Sequence, residues 1–263
     1  MAGNMSAINK LQRVNEVRRQ NQAIKDLFIA LSFCTLMSIV LMLGPGGCRQ
    51  QNAQIGESQQ PQSAQSDEAT RQEVSSMSAR NLVVFLGDSL TAGYNLFPKQ
   101  SFPALIAAHW REQGYNWRVQ NAGISGDTTA GVLRRLNWVI TDDVHTVFLA
   151  IGANDGLRGL SLAEMKRNIS QTIEILQQRN IRVILAGIKI PTNYGRDYTR
   201  NFAEIYPELA RQYKLELLPF LLDEVAGHSH LNFADGIHPN AEGYKIIARN
   251  ILNFFAERKL FPR

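Results

Sequence analysis

The sequence predicts an α/β protein built on an open, doubly wound parallel sheet, and three observations carry that prediction. From residue 81 onward, apolar runs of strand length alternate with segments of helical period. The runs at 82–86, 146–151 and 181–188 are nearly all apolar, the composition of parallel strands covered on both faces. No internal repeat breaks the alternation. In such sheets the working residues sit on loops at the carboxyl ends of the strands.

Taken in order, the strands are predicted at 82–86, 117–121, 146–151, 181–188 and 215–220. The intervening helices are predicted at 102–113, 128–140, 161–179 and 199–213, with a last one at 240–257. The third helix is the best marked. Ser161 and Glu164 have capping-box spacing, and Leu162, Met165, Ile169, Ile173 and Leu176 form one apolar stripe. Pro239 stands where it can open the last helix at its first position.

Ahead of this region lie two segments of different character. Residues 1–26 are polar and hold Lys10, Arg13, Arg18, Arg19 and Lys25 against Glu16 and Asp26, after which residues 27–43 carry no charge. That layout predicts an export signal or a membrane anchor over residues 1–48, its basic side held in the cytoplasm. Cys48, in Gly46-Gly47-Cys48, resembles the cleavage and lipidation site of bacterial lipoproteins, although Pro45 stands where an aliphatic residue is usual. Residues 49–80 are rich in Gln, Ser, Glu and Ala with no apolar period, which predicts a disordered tether. Its span would be about 30 Å. Residues 81–263 form the predicted catalytic domain, and the whole is expected to be exported to the periplasm with a membrane association through its N-terminal segment.

Charge and cysteine content exclude several classes. The formal charge of +5 shrinks beyond residue 80, where 20 Lys and Arg face 17 Asp and Glu. That balance is too mild and too evenly spread to predict a nucleic-acid partner. Both cysteines, Cys34 and Cys48, lie in the N-terminal segment, so residues 81–263 can build no disulfide, zinc site or cysteine nucleophile.

The informative residues follow the first three strands and precede the last helix. Strand one runs into Gly87-Asp88-Ser89-Leu90, which presents a serine hydroxyl, although the segment taken alone is more simply a helix cap made by Asp88 or Ser89. No Gly-x-Ser-x-Gly elbow occurs. A serine needs an adjacent base, itself held in one tautomer by a third group. Of five histidines, His109 and His145 read as surface or packing residues, while His228 and His230 lie in a Gly-Ser-Asn loop without a carboxylate at matching spacing. His238 differs, because Asp235 precedes it by three residues on a Gly-containing turn and can reach one ring nitrogen while the other points outward. Donors for a developing oxyanion are offered by the amides of Ser89 and Gly126 and the carboxamide of Asn154. Each segment alone is explained as a turn between strand and helix; all three are predicted at one edge of one sheet.

Together, Gly87-Asp88-Ser89-Leu90, Gly126, Asn154 and Asp235-x-x-His238 resemble the four blocks of the SGNH, or GDSL-type, hydrolases over residues 82–255. The nearest resemblance is to the bacterial arylesterase, lysophospholipase and acyl-thioesterase branch, through Ile124-Ser125-Gly126-Asp127-Thr128, Asn154-Asp155-Gly156-Leu157-Arg158-Gly159 and Pro191-Thr192-Asn193-Tyr194-Gly195. The resemblance implies a flavodoxin-like three-layer α/β/α fold on a five-stranded parallel sheet, a periplasmic setting, and no metal or organic cofactor. It implies a small-molecule ester or thioester substrate, and makes Ile190 and Tyr194 substrate contacts.

The expected chemistry is two-step acyl transfer through Ser89, His238 and Asp235, with Ser89, Gly126 and Asn154 forming the oxyanion hole. A polysaccharide O-deacetylase or an acyltransferase on the same fold stays open. Two rivals come from another class: a flavodoxin-like domain whose Gly87 loop cradles phosphate, and a catalytically silent lipoprotein. The first has no P-loop or Gly-x-Gly-x-x-Gly and leaves Asp235 and His238 unexplained. For the second, nothing is missing from the catalytic set.

Overall fold

The computed structural model describes residues 80–262; the predicted signal or anchor segment and nearly all of the predicted tether lie outside the described residues. The strands are β1 (Leu82–Gly87), β2 (Arg118–Gly123), β3 (Val144–Ala150), β4 (Arg182–Ala186) and β5 (Glu216–Leu218). They form one sheet in the order β2-β1-β3-β4-β5, every neighbouring pair parallel. The chain moves outward from β1 to β2, returns across β1 to β3, and then proceeds to β5. Its winding therefore reverses between β1 and β3, the place where such sheets open a crevice at their carboxyl edge.

The helices are α1 (Ser89–Ala92), α2 (Phe102–Glu112), α3 (Thr129–Val139), α4 (Ala153–Leu157), α5 (Leu162–Gln178), α6 (Arg196–Tyr213) and α7 (Ala241–Glu257). Helix α2 packs against α7, while α3, α5 and α6 pack in a row, giving helices in two layers about the sheet. Between the sheet and the α2–α7 pair, Phe85 meets Phe102, and Phe148 meets Phe102 and Phe255, at ring distances of 5.6 to 6.2 Å. All six residues of β1 are buried, as are the apolar residues of β3 and β4. β2 is an edge strand with mostly half-exposed residues, which is why its sequence is mixed.

Two boundaries and one cap depart from the sequence reading in ways that have a local reason. β5 ends at Leu218: beyond it the chain bends, so that the Gly187 carbonyl accepts from the Leu221 amide at 2.9 Å rather than from Phe220. Helix α6 starts at Arg196, three residues before the predicted start, after a turn at Gly195 with φ +92; the Thr199 hydroxyl donates back to the Gly195 carbonyl at 2.9 Å. At α5 only half of the predicted capping box forms. Ser161 Oγ accepts from the Glu164 amide at 3.3 Å, but the Glu164 carboxylate turns to Arg167. The short helices α1 and α4, unforeseen in the sequence, begin the segments that follow β1 and β3, and both carry site residues.

Candidate active site

The carboxyl ends of β1, β2 and β3 are in register, with Gly87 opposite both Gly123 and Ala150. At Gly87 the chain must turn sharply into α1. A Cβ there would lie 2.3 Å from the Ala150 carbonyl oxygen and 2.2 Å from Thr91 Oγ1, so only glycine allows the turn to sit this close to β3. The two sequence readings of this turn are shared between neighbouring residues. Asp88 is the cap, its Oδ1 accepting from the Leu90 amide at 3.0 Å, and Ser89 is left with a hydroxyl facing an imidazole. The buried Tyr244 of α7 donates to the Leu90 carbonyl at 2.7 Å, fastening the turn to the last helix.

Ser89 Oγ lies 2.9 Å from His238 Nε2, and His238 Nδ1 lies 2.8 Å from Asp235 Oδ2. The other Asp235 oxygen accepts from the amides of Ile237 at 2.9 Å and His238 at 3.0 Å. Partial burial works to raise the Asp235 carboxyl, but those two amides and the adjoining imidazole outweigh it and hold the group at about 2. An ionised carboxylate only accepts, so the Nδ1 proton points to Asp235. Nε2 then keeps its lone pair, and the serine hydroxyl donates to it. The Tyr94 ring lies 4.3 Å from the imidazole at a 34° tilt and restricts its rotation. Among the five histidines, only His238 bridges a serine hydroxyl and a carboxylate. His145 packs edge-on against Trp117, and His228 and His230 pair with each other at 5.8 Å.

The three donor residues are held differently. The Ser89 and Gly126 amides have no acceptor among the described residues. Gly126 takes φ +82 on an exposed turn closed by the Asp127 amide, which donates to the Ile124 carbonyl at 3.1 Å. Asn154, in α4, gives one Nδ2 hydrogen to the Asp127 carbonyl at 2.9 Å and retains the second. Buried Asp155 accepts from the Thr129 amide at 3.0 Å and the Thr129 hydroxyl at 2.6 Å, joining α4 to the start of α3. Arg135 pairs with Asp127 at 2.8 Å and donates to the Gly87 carbonyl at 3.1 Å.

Beneath Ser89, burial pushes the Asp88 carboxyl up to about 7, with Asp127 and Asp155 adding repulsion against the helping bond from Leu90. Its Oδ2 has no partner. Beside the serine opens a cavity of about 530 Å³ whose lining includes Ser89, Asn154 and His238 together with Leu157, Ile190 and Phe220. Lys189 is the one charged residue of that lining, its ammonium 4.6 Å above the Phe220 ring. Ile190 is on the wall of that cavity. Tyr194 is not among its lining residues; it is exposed, and its hydroxyl donates to the Leu157 carbonyl at 2.8 Å. Tyr94 and Tyr244 escaped the sequence reading, because a lone tyrosine outside a motif carries no local signal of what it will face. Asp155 and Arg158 stand in a motif that was visible, but no role for them could be read from it. Among the described residues, no group of three His, Cys, Asp or Glu side chains could hold a metal ion.

Comparison with known proteins gives a consistent picture. The model of the GDSL-like lipase/acylhydrolase family matches residues 85–246. The chain is 38% identical over 173 residues to an arylesterase of Vibrio mimicus, covering 65% of this chain and 86% of that one. It is 36% identical over 171 residues to the thioesterase 1/protease 1/lysophospholipase L1 of Escherichia coli K12, covering 65% and 81%. Among solved structures, the psychrotrophic esterase EstA of Pseudoalteromonas sp., inhibited by monoethylphosphonate, superposes with a TM-score of 0.65 at 30% identity, covering 67% of this chain and 97% of EstA.

Proposed function

Because the chain belongs to the GDSL-like lipase/acylhydrolase family and is a serine ester hydrolase, we propose that Ser89, His238 and Asp235 carry out its chemistry on aryl esters, acyl thioesters or lysophospholipids. The observation that carries the residue assignment is the unbroken relay from Ser89 Oγ to Nε2 at 2.9 Å and from Nδ1 to Asp235 at 2.8 Å.

In the first step His238 Nε2 takes the hydroxyl proton as Ser89 Oγ bonds to the substrate carbonyl carbon. The carbonyl oxygen becomes an anion and is received by the Ser89 and Gly126 amides and the free hydrogen of Asn154 Nδ2. When the tetrahedral species collapses, the imidazolium gives its proton to the leaving alcohol or thiol. Water then repeats the sequence on the acyl-enzyme and releases the acid. Asp235 holds the tautomer and stabilises the imidazolium throughout.

The apolar wall of Leu157, Ile188, Ile190, Phe220 and Leu222 supports an acyl chain as the group bound beside Ser89. Each buried methylene is worth about 0.8 kcal/mol, so kcat/KM should rise roughly fourfold per carbon until the cavity fills. The test is a panel of aryl esters and acyl thioesters graded by chain length, run beside labelling with a fluorophosphonate probe. Label on a residue other than Ser89 would sink the assignment, and a flat chain-length profile would remove the acyl chain from this cavity. The N-terminal layout supports an exported enzyme held at a membrane, among whose described residues no helix is long and apolar enough to cross one. A chain beginning at Ser78 should stay fully active and leave the membrane fraction; an inactive product would count against that division.

A further inference from the structure

The two oxyanion donors that do not belong to Ser89 come from different segments, an exposed turn and helix α4, and each needs outside help to hold one orientation. Gly126 lies on an exposed turn at φ +82 and has no side chain to anchor it. A carboxamide such as that of Asn154 can turn over, exchanging its donor and acceptor ends. One side chain reaches both. Arg158 Nη2 donates to the Gly126 carbonyl at 2.9 Å and approaches Asn154 Oδ1 at 3.4 Å.

The second contact decides which way Asn154 faces. With Oδ1 toward the guanidinium, Nδ2 is directed to the Asp127 carbonyl and keeps one hydrogen free. Turned over, the carboxamide would set an N–H₂ against the guanidinium and an oxygen against the Asp127 carbonyl, two like contacts at once. The first contact sets the peptide that follows Gly126, and so restricts the glycine whose own amide is the donor. Arg158 has no carboxylate partner among the described residues, so its donors are not spent elsewhere. It is also exposed, whereas the bonds of buried Asp155 to Thr129 join α4 to α3 without it.

We propose that Arg158 is a positioning residue that ties Gly126 and Asn154 into one oxyanion site, so that it serves the transition state and not substrate binding. This rests on the serine mechanism above. In the full chain, Arg158→Ala should lower kcat on a short aryl ester by roughly 10- to 100-fold, part of the loss expected when one oxyanion donor is removed, with KM within about twofold. An alkyl boronic acid, which becomes a tetrahedral anion on the active serine, should lose affinity by the same factor, while the product carboxylate should bind unchanged. Arg158→Lys should recover part of kcat, since both contacts come from the one nitrogen Nη2 and an ammonium keeps its charge and donors on a shorter stem. An unchanged kcat overturns the proposal. So does a loss confined to KM, or a fall in kcat that boronate affinity does not follow. Hydrolysis that survives Ser89→Ala would refute the serine assignment itself, whereas Ser89-dependent hydrolysis indifferent to Arg158 would overturn only this role.

Discussion

The two halves of the site are built on opposite principles. In the acid–base half, Asp235 accepts from Ile237 and His238 and meets the imidazole, all within three residues on a partly exposed turn. In the donor half, Asn154 reaches Asp127 across 27 positions, Thr129 reaches Asp155 across 26, and Arg158 reaches Gly126 across 32. The first is a local turn that the chain can prescribe by itself. The second exists only once β1, β2 and β3 have brought their following loops to one edge. Ser89 joins the halves, 149 positions from His238. Errors in the donor half should therefore weaken stabilisation of the transition state, and errors in the relay should disable proton transfer.

The largest effect is expected where both halves meet. Ser89→Ala should lose more than about 10⁴-fold in kcat with an unchanged melting temperature, because removing the nucleophile disables the unit as a whole. Turnover near that of the wild type would end the comparison, since the halves would then share no chemistry.

Asp235→Asn isolates the relay. The asparagine oxygen can still accept from Ile237 and His238, so the turn survives while the imidazole loses the partner that fixes its tautomer. A fall of about 10³- to 10⁴-fold in kcat is expected. A crystal structure showing a displaced turn would mean that the local half is less self-sufficient than its bonds suggest.

Asn154→Ala probes the donor half, where the expected loss is about 10²- to 10³-fold in kcat with KM nearly constant. A change confined to KM would move Asn154 from oxyanion stabilisation to substrate recognition.

The smallest effect on turnover is expected at Asp88, the buried group beneath both halves, whose consequence lies in stability. Its folded pKa, about 7, is above the ordinary 3.8, so the folded state holds an extra proton in the intervening window. Stability from this group is full below pH 4, falls as pH rises toward 7, and does not return above it, a difference of about 4 kcal/mol in all. Asp88→Asn keeps an oxygen for the Leu90 amide and removes the titration. Denaturant unfolding from pH 4.5 to 7.5 should show the wild type losing ground to the variant as pH rises; a constant difference would show that Asp88 does not titrate there.

What could be read from the chain alone follows the same division. The buried strands β1, β3 and β4 were legible because burial on both faces leaves an unbroken apolar run, and α5 because its stripe repeats with the helical period. The pairing of Asp235 with His238 was legible because three residues on a turn leave few geometries. The end of β5 and the start of α6 were misread because the bend after Leu218 and the turn at Gly195, φ +92, outweighed the pattern around them. Nothing local announced that Tyr94 would lie against His238, that Tyr244 would hold the Leu90 carbonyl, or that Arg158 would reach Gly126. Those contacts join residues far apart in the chain, and the order of strands in the sheet decides them. Residue types and short spacings determined which groups could act and paired Asp235 with His238; the parallel sheet decided which of the distant groups would meet, because its register brings Gly87, Gly123 and Ala150 level at one edge.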